Sequence, residues 1–239
     1  MDTERTRIEQ VYTKYTHNSS KKNKWRANIA KTVVWEIIFG HIQTEFKKRL
    51  QNKSEQLTIL EIGCSSGNII KRFSSLLPFS SLHGLDIRLD SLQRGITYNT
   101  DVHFYHANAG NMPYKDKSFD IVFQFVCLSS ILSKKHRAHI ISESHRILKD
   151  GGIFISLDMR YWSPNPNVCA IKRSELSQYD PLFHFNKYIP VWLLPPLQKY
   201  IHSRFLVRQL CKLNILCSHW LYIGEKHTNT INPIKNINT

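Results

Sequence analysis

The chain has 239 residues, 41% hydrophobic and 21% charged, which excludes a wholly disordered or fibrous protein and fits one ordinary domain with extensions. Its formal net charge of +15 is uneven: residues 1–50 and 161–239 carry +6 each, and residues 51–160 only +3. No apolar run is long enough for an ordinary transmembrane helix. The start, MDTERTRIEQ, mixes both charge signs and lacks the apolar core of a secretory signal. Cys64, Cys127, Cys169, Cys211 and Cys217 form no CxxC pair, so reduced thiols in a cytoplasmic protein are expected. The basic flanks suit a solvated surface or an anionic partner: nucleic acid, acidic headgroups or charged sugars. Lys21, Lys22, Lys24 and Arg26 are their densest group.

Apolar residues at Trp25, Ile29, Val33, Ile37, Ile42, Phe46 and Leu50 predict a long helix, expected to pack on the core. Leu57–Ile62 has the length and composition of a buried strand, and Gly63-Cys-Ser-Ser-Gly67 follows as a tight turn. A short helix ends before Pro78, a second strand covers 82–87, and Asp90 is expected to cap a helix holding Leu92 and Ile96. Strands follow at 102–107 and 119–125, then a helix capped by Ser133 and a Lys149–Gly152 stop before strand 153–158. Five strand–helix alternations predict a parallel sheet covered on both faces. The last third breaks this rhythm. A strand is expected at 182–190, a lid packed on the core at 191–197, a helix over 196–213, a final strand near 219–223 and a frayed polar tail after Glu225.

In such a sheet ligands bind beyond the carboxyl ends of the strands, near the reversal of strand order. There the sequence places Glu61-Ile-Gly-Cys-Ser-Ser-Gly67, Asp86 and Asn108. Asp86 lies 23 residues after Gly63, about the spacing at which an acidic side chain meets a ribose diol. The dinucleotide pattern G-x-G-x-x-G fails: anchored at Gly63, its later glycines fall on Ser65 and Asn68. A pyrophosphate needs that close helix approach, whereas a nucleoside without phosphate does not. No metal motif of the HExxH or cysteine type is present. His136, His139 and His145 are expected on the surface.

LEIGCSSGN (60–68), LHGLDI (82–87), NAGNMPYKDKSFDIV (108–122) and HRILKDGGIFISLD (145–158) together resemble the class I S-adenosylmethionine-dependent methyltransferases. The resemblance implies an α/β, Rossmann-like, doubly wound seven-stranded sheet, strands 1–5 parallel with a C-terminal antiparallel strand. It implies an N-terminal helical arm or lid over 1–50 and a methyltransferase domain over 51–239. Within that domain it implies a cofactor-binding core at 57–158, a substrate-side region at 159–225 and a tail at 226–239. S-adenosyl-L-methionine is the implied cofactor, with Glu61, Gly63, Cys64, Gly67, Asp86, Ile87, Asn108, Ala109, Gln124 and Phe125 around it. Gln124 and Phe125 match positions lining the methionine end. Serine at 65 replaces a frequent glycine and is tolerable only if that position avoids positive φ. Ser129 and Ser130 replace a frequent His-His pair.

The C-terminal third looks like a subgroup of bacterial small-molecule methyltransferases, some accompanying surface-glycan genes. The implied acceptor is a small molecule or glycan precursor, with O-methylation slightly ahead of N-methylation. Rivals are RNA methylation, a catalytically inactive cofactor-binding partner subunit and, as a further contact, a peripheral membrane surface. No matched motif supplies a base. Tyr12, Tyr15, His17, His106, Asp158 and Tyr161 are the candidates, and Tyr12 and Tyr15 resemble tyrosines that close over the donor in related enzymes.

Overall fold

A computed structural model describes residues 3–17, 28–49, 56–77, 80–161, 163–183 and 187–227. The basic group at 21–26, the helix start at Trp25, the stop at Pro78 and the tail from 228 lie outside the described residues, as do the side chains of Tyr15 and His17.

Helix α1 (Thr3–His17) is followed by α2 (Ile29–Arg49). The apolar run after them becomes β1 (Thr58–Ile62), buried from Ile59 onward because neighbouring strands and helices on both faces leave it no wet side. Chain order then gives α3 (Ile70–Leu76), β2 (Ser81–Asp86), α4 (Leu89–Tyr98), β3 (Val102–His106) and β4 (Phe119–Phe125). Next come α5 (Lys134–Ile147), β5 (Leu148–Met159), α6 (Arg173–Leu176) and β6 (Lys187–Leu193). The chain closes with α7 (Pro195–Gln198), α8 (Arg204–Cys211) and β7 (Cys217–Glu225).

The sheet order is β3-β2-β1-β4-β5-β7-β6. Strands β1 to β5 are parallel, and β7 runs antiparallel to both β5 and β6. Strand order reverses between β1 and β4, so a crevice opens at their carboxyl ends. One apolar core joins α2, α3 and α8 to one face; the other packs α5 and the 171–183 segment on the opposite face.

Several local expectations shift. The buried stripe of α2 is Ala30, Val34, Ile38, Ile42 and Phe46 with Val33, while Ile29 is 42% exposed. That i, i+4 row lies about one residue round from the expected face. Asp90 does not cap α4: it sits in the first turn and pairs with Arg88 and Arg94, and Ile96 is exposed. Ser133 does cap α5, accepting the His136 N–H. The glycine stop is absorbed into β5, whose start pairs with Phe119 while Gly151 at φ +69° carries the irregularity. The sixth strand begins at Lys187, since Leu182 lies in a 3-10 turn, and Val191 and Leu193 are core residues of that strand rather than a lid. The single helix over 196–213 is instead two short ones broken at 199–203.

Candidate active site at the strand carboxyl ends

The crevice holds a cavity of about 350 Å³, within the range of small-molecule sites. Its floor is Gly63 and Ser65 after β1, Leu85 to Arg88 at the end of β2, and Ala107 to Gly110 after β3. Phe125, Val126 and Cys127 close one side, and His136 and Ile140 of α5 another. Helix α1 roofs it with Glu4, Arg5, Ile8 and Tyr12.

The loop after β1 is shaped by three positive φ angles, at Gly63 (+71°), Ser65 (+51°) and Gly67 (+77°). A Cβ on Gly63 would meet Cys127 Sγ at 2.9 Å, and one on Gly67 would meet the Phe104 ring at 2.9 Å. Glycine is therefore required at both by conformation and by space. Ser65 does not avoid the left-handed region as its tolerance required. The loop forces it there, and the carboxylate of Asp86 accepts its N–H at 2.7 Å.

Asp86 also accepts the Arg88 N–H at 2.8 Å. Burial raises its pKa against the lowering effect of those two amides. Each carboxylate oxygen keeps a second lone pair, and Asp86 borders the cavity. Asn108 spends Oδ1 on the Gly110 N–H at 2.9 Å, an Asx turn that fixes the backbone of the floor.

Of the ten sequence candidates, Gly63, Asp86, Ile87, Asn108, Ala109 and Phe125 line the cavity. Glu61, Cys64, Gly67 and Gln124 lie behind its wall. Glu61 is buried and accepts the Ile70 N–H at 2.9 Å, anchoring the start of α3; burial pushes its pKa well up. Cys64 is buried, and burial likewise raises its thiol pKa. Gln124 is buried and does not line the cavity. Its Oε1 accepts the Cys127 and Leu128 N–H groups at 2.8 and 3.2 Å, and its Nε2 donates to Ser156 Oγ at 2.6 Å and to Asp158.

Among the candidate bases, Asp158 is fully buried. It accepts from Ser129 N and Oγ at 2.9 and 2.8 Å and from Ser156 Oγ at 2.6 Å, and burial raises its pKa. His106 bonds the Ile87 carbonyl and Tyr161 the Ile215 carbonyl, both away from the cavity. Tyr12 does line it, sharing a short hydrogen bond with Ser130 Oγ. The two serines thus divide the work: Ser129 ties the buried carboxylate and Ser130 ties the roof. Glu4 adds a second tie, accepting the Leu132 N–H at 2.6 Å.

Sequence reasoning missed Val126, Ile8, His136 and Ile140. Val126 sits at φ +62°, a strained angle for a β-branched residue, at the mouth of β4. Nothing in its residue type signals this. His136 and Ile140, spaced i, i+4 after the Ser133 cap, share a helix face, and that spacing was available. His136 is half-buried against the cavity rather than on the surface. Behind Phe125 stand Trp35 at 5.9 Å, stacked, and then Trp192, edge-on to Trp35 at 5.1 Å. They back Phe125 with aromatic rings from α2 and β6.

Residues 59–152 match a family model described as a methyltransferase domain. A ubiquinone/menaquinone biosynthesis C-methyltransferase of Hahella chejuensis is 30% identical over 108 residues, 42% of each chain. A phthiotriol/phenolphthiotriol dimycocerosates methyltransferase of Mycobacterium tuberculosis is 29% identical over 118 residues, 47% of this chain and 40% of that one. The chain thus spans under half the length of these curated relatives. A SAM-dependent methyltransferase structure from Methanosarcina mazei superposes with a TM-score of 0.55 at 18% identity, over 74% of this chain and 95% of the other.

Proposed function

We propose that the chain, whose residues 59–152 match a methyltransferase-domain model, is a class I S-adenosylmethionine-dependent methyltransferase that transfers a methyl group to a small-molecule or glycan-precursor acceptor. The observation carrying this is the cavity at the β1/β4 reversal, with one buried carboxylate, Asp86, on an otherwise mainly apolar wall. That donor set fits a nucleoside: a carboxylate for hydroxyl groups, with apolar walls at Ile87, Ala109 and Ile140 for a planar base. The arginines at the rim are committed elsewhere. Arg88 pairs with Asp90 at 2.7 Å and lies over the Tyr12 ring, and Arg5 pairs with Glu9 at 3.0 Å. The donor set thus contrasts with the phosphate grip a dinucleotide needs.

When bound, S-adenosylmethionine supplies an electrophilic methyl group on a sulfonium. The chain's own residues bind, orient and dry the site. Asp86 holds hydroxyls with its remaining lone pairs. Gly63 lets the backbone approach, and Phe125, backed by Trp35, forms an apolar wall. Within the N-terminal arm, α1 serves as the lid while α2 packs on the core: α1, latched through Tyr12–Ser130 and Glu4–Leu132, excludes water, which strengthens every polar contact inside. Residues 57–158 form the cofactor-binding core and 159–225 the acceptor side. Positioning supplies much of the acceleration in such a displacement. For a hydroxyl acceptor, Tyr12 and His136 both border the cavity and are the candidates to take its proton, and O-methylation stays ahead of N-methylation.

Calorimetric titration with S-adenosylhomocysteine, with NAD as control, tests the cofactor class. Micromolar binding of the first alone supports the proposal, and an acceptor panel scored by S-adenosylhomocysteine release then tests transfer. Binding of NAD alone, or of neither, overturns it.

A further inference from the structure

Sequence spacing predicts one helix over 196–213 carrying Leu197, Ile201, Phe205, Leu206 and Leu210; in the structure Leu197, Ile201 and Leu210 pack against the core, while Phe205 and Leu206 face outward. Tyr200, Phe205, Leu206, Leu213 and Ile215 are 45–74% exposed, and Val207 is the buried residue of α8. Single exposed apolar residues are ordinary. Five large ones within sixteen positions mark an interaction surface.

The charge carried by the segment itself has one sign. No Asp or Glu occurs between Asp180 and Glu225, while Lys199, Arg204, Arg208 and Lys212 all lie exposed in the same segment. Glu36 of α2 pairs with both arginines at 2.7 Å, and Lys199 lies over the Tyr200 ring at 5.3 Å. The segment's place is also fixed. It links the end of β6 to the start of β7, and β6 runs in the direction of β5, so the link sits on the carboxyl rim that carries the cavity. Arg160 and Tyr161, just beyond β5, tie it there by donating to the Asn214 and Ile215 carbonyls at 2.6 and 3.3 Å.

We propose that the surface of residues 199–215 docks on an anionic lipid bilayer. A bilayer interface accepts aromatic rings and aliphatic chains together, and its acidic headgroups complement the cations. Single-stranded nucleic acid would use the rings and cations but leave Leu206, Leu213 and Ile215 without a role. A second copy of the chain would bring two faces of like charge together. No helix among the described residues is long and apolar enough to cross a membrane, so the contact is peripheral. Docking turns the rim with the cavity toward the lipid. The proposal does not depend on methyl transfer.

Co-sedimentation of the full chain with unilamellar vesicles tests it, using phosphatidylcholine alone or with about one third phosphatidylglycerol. The expected result is pelleting with the anionic vesicles, weakened by salt. The triple variant F205S, L206S, I215S lowers that binding by at least about ten-fold. The K199E, K212E pair lowers it by roughly five-fold for each lysine. These positions are exposed, so circular dichroism melts of the variants should match the parent. Pelleting no greater than without lipid overturns the proposal, as does lipid binding indifferent to both variants. It is equally overturned if the same substitutions instead abolish binding of an RNA oligomer or dissolve a dimer seen by light scattering.

Discussion

The carboxylate of Asp86 holds the backbone N–H of Ser65 at 2.7 Å while Ser65 sits at φ +51°. The side chain at the end of β2 therefore supports a strained turn after β1. Ser65→Gly should be neutral or stabilising by up to about 1 kcal/mol, the left-handed penalty relieved less glycine's added chain entropy. Ser65→Val should destabilise by about 1–2 kcal/mol. Urea midpoints ordered glycine, serine, valine from most to least stable would bear this out.

Removing Asp86 touches both turn and ligand. Asp86→Ala is expected to weaken S-adenosylhomocysteine affinity by about 1.5–3 kcal/mol, the worth of hydrogen bonds to a charged group. It should also lower stability, because the Ser65 and Arg88 amides lose their acceptor. An unchanged dissociation constant in a folded variant would remove Asp86 from the donor site.

The Tyr12–Ser130 bond joins the roof to the loop after β4. Tyr12→Phe keeps the ring packing and loses only this latch. S-adenosylhomocysteine should dissociate about 3- to 10-fold faster, the equivalent of one hydrogen bond, with little change in thermal midpoint. Stopped-flow displacement measures it, and an unaltered dissociation rate would argue against a roof that gates the site.

Asp158 is a structural anchor in this geometry, its carboxylate accepting from Ser129, Ser156 and Gln124. Asp158→Ala strands Ser129, Ser156 and Gln124 donors in a buried site and should cost about 3 kcal/mol or more in urea unfolding. A variant of full stability and donor affinity but without turnover would restore it as a base.

Acid sensitivity should begin near neutrality. Burial holds His219 down to about 4 from an ordinary 6.5, and burial likewise holds His83 and His145 near 4. The folded values are depressed, so the unfolded chain binds protons first as pH falls. Stability is full above 6.5 and is lost progressively down to about 4, by up to about 3 kcal/mol for His219. His219→Gln should flatten part of that decline in urea midpoints measured across the window. An identical slope would assign the loss to other groups.

The sequence by itself determined the sheet and the rim at which its crevice opens. Buried strands such as Leu57–Ile62 can be read from apolar runs because no face of them meets water. Gly63 and Gly67 announce a loop that a side chain would break. Asp86 and Asn108 fall at strand ends because strand lengths fix where the carboxyl rim lies. Tertiary structure decided what distance along the chain conceals. Gln124 looks like a ligand contact from its strand position, yet β4 is flanked by β1 and β5, so its side chain is enclosed and serves Asp158 instead. Ser130 gains its role only when α1, 118 residues away in the chain, folds back over it. The apolar residues of 200–215 carry a helical period, but periodicity does not say whether a second surface exists to cover them. Here Val207, Ile201 and Leu210 take the places against the core, and Tyr200, Phe205, Leu206, Leu213 and Ile215 are left facing solvent.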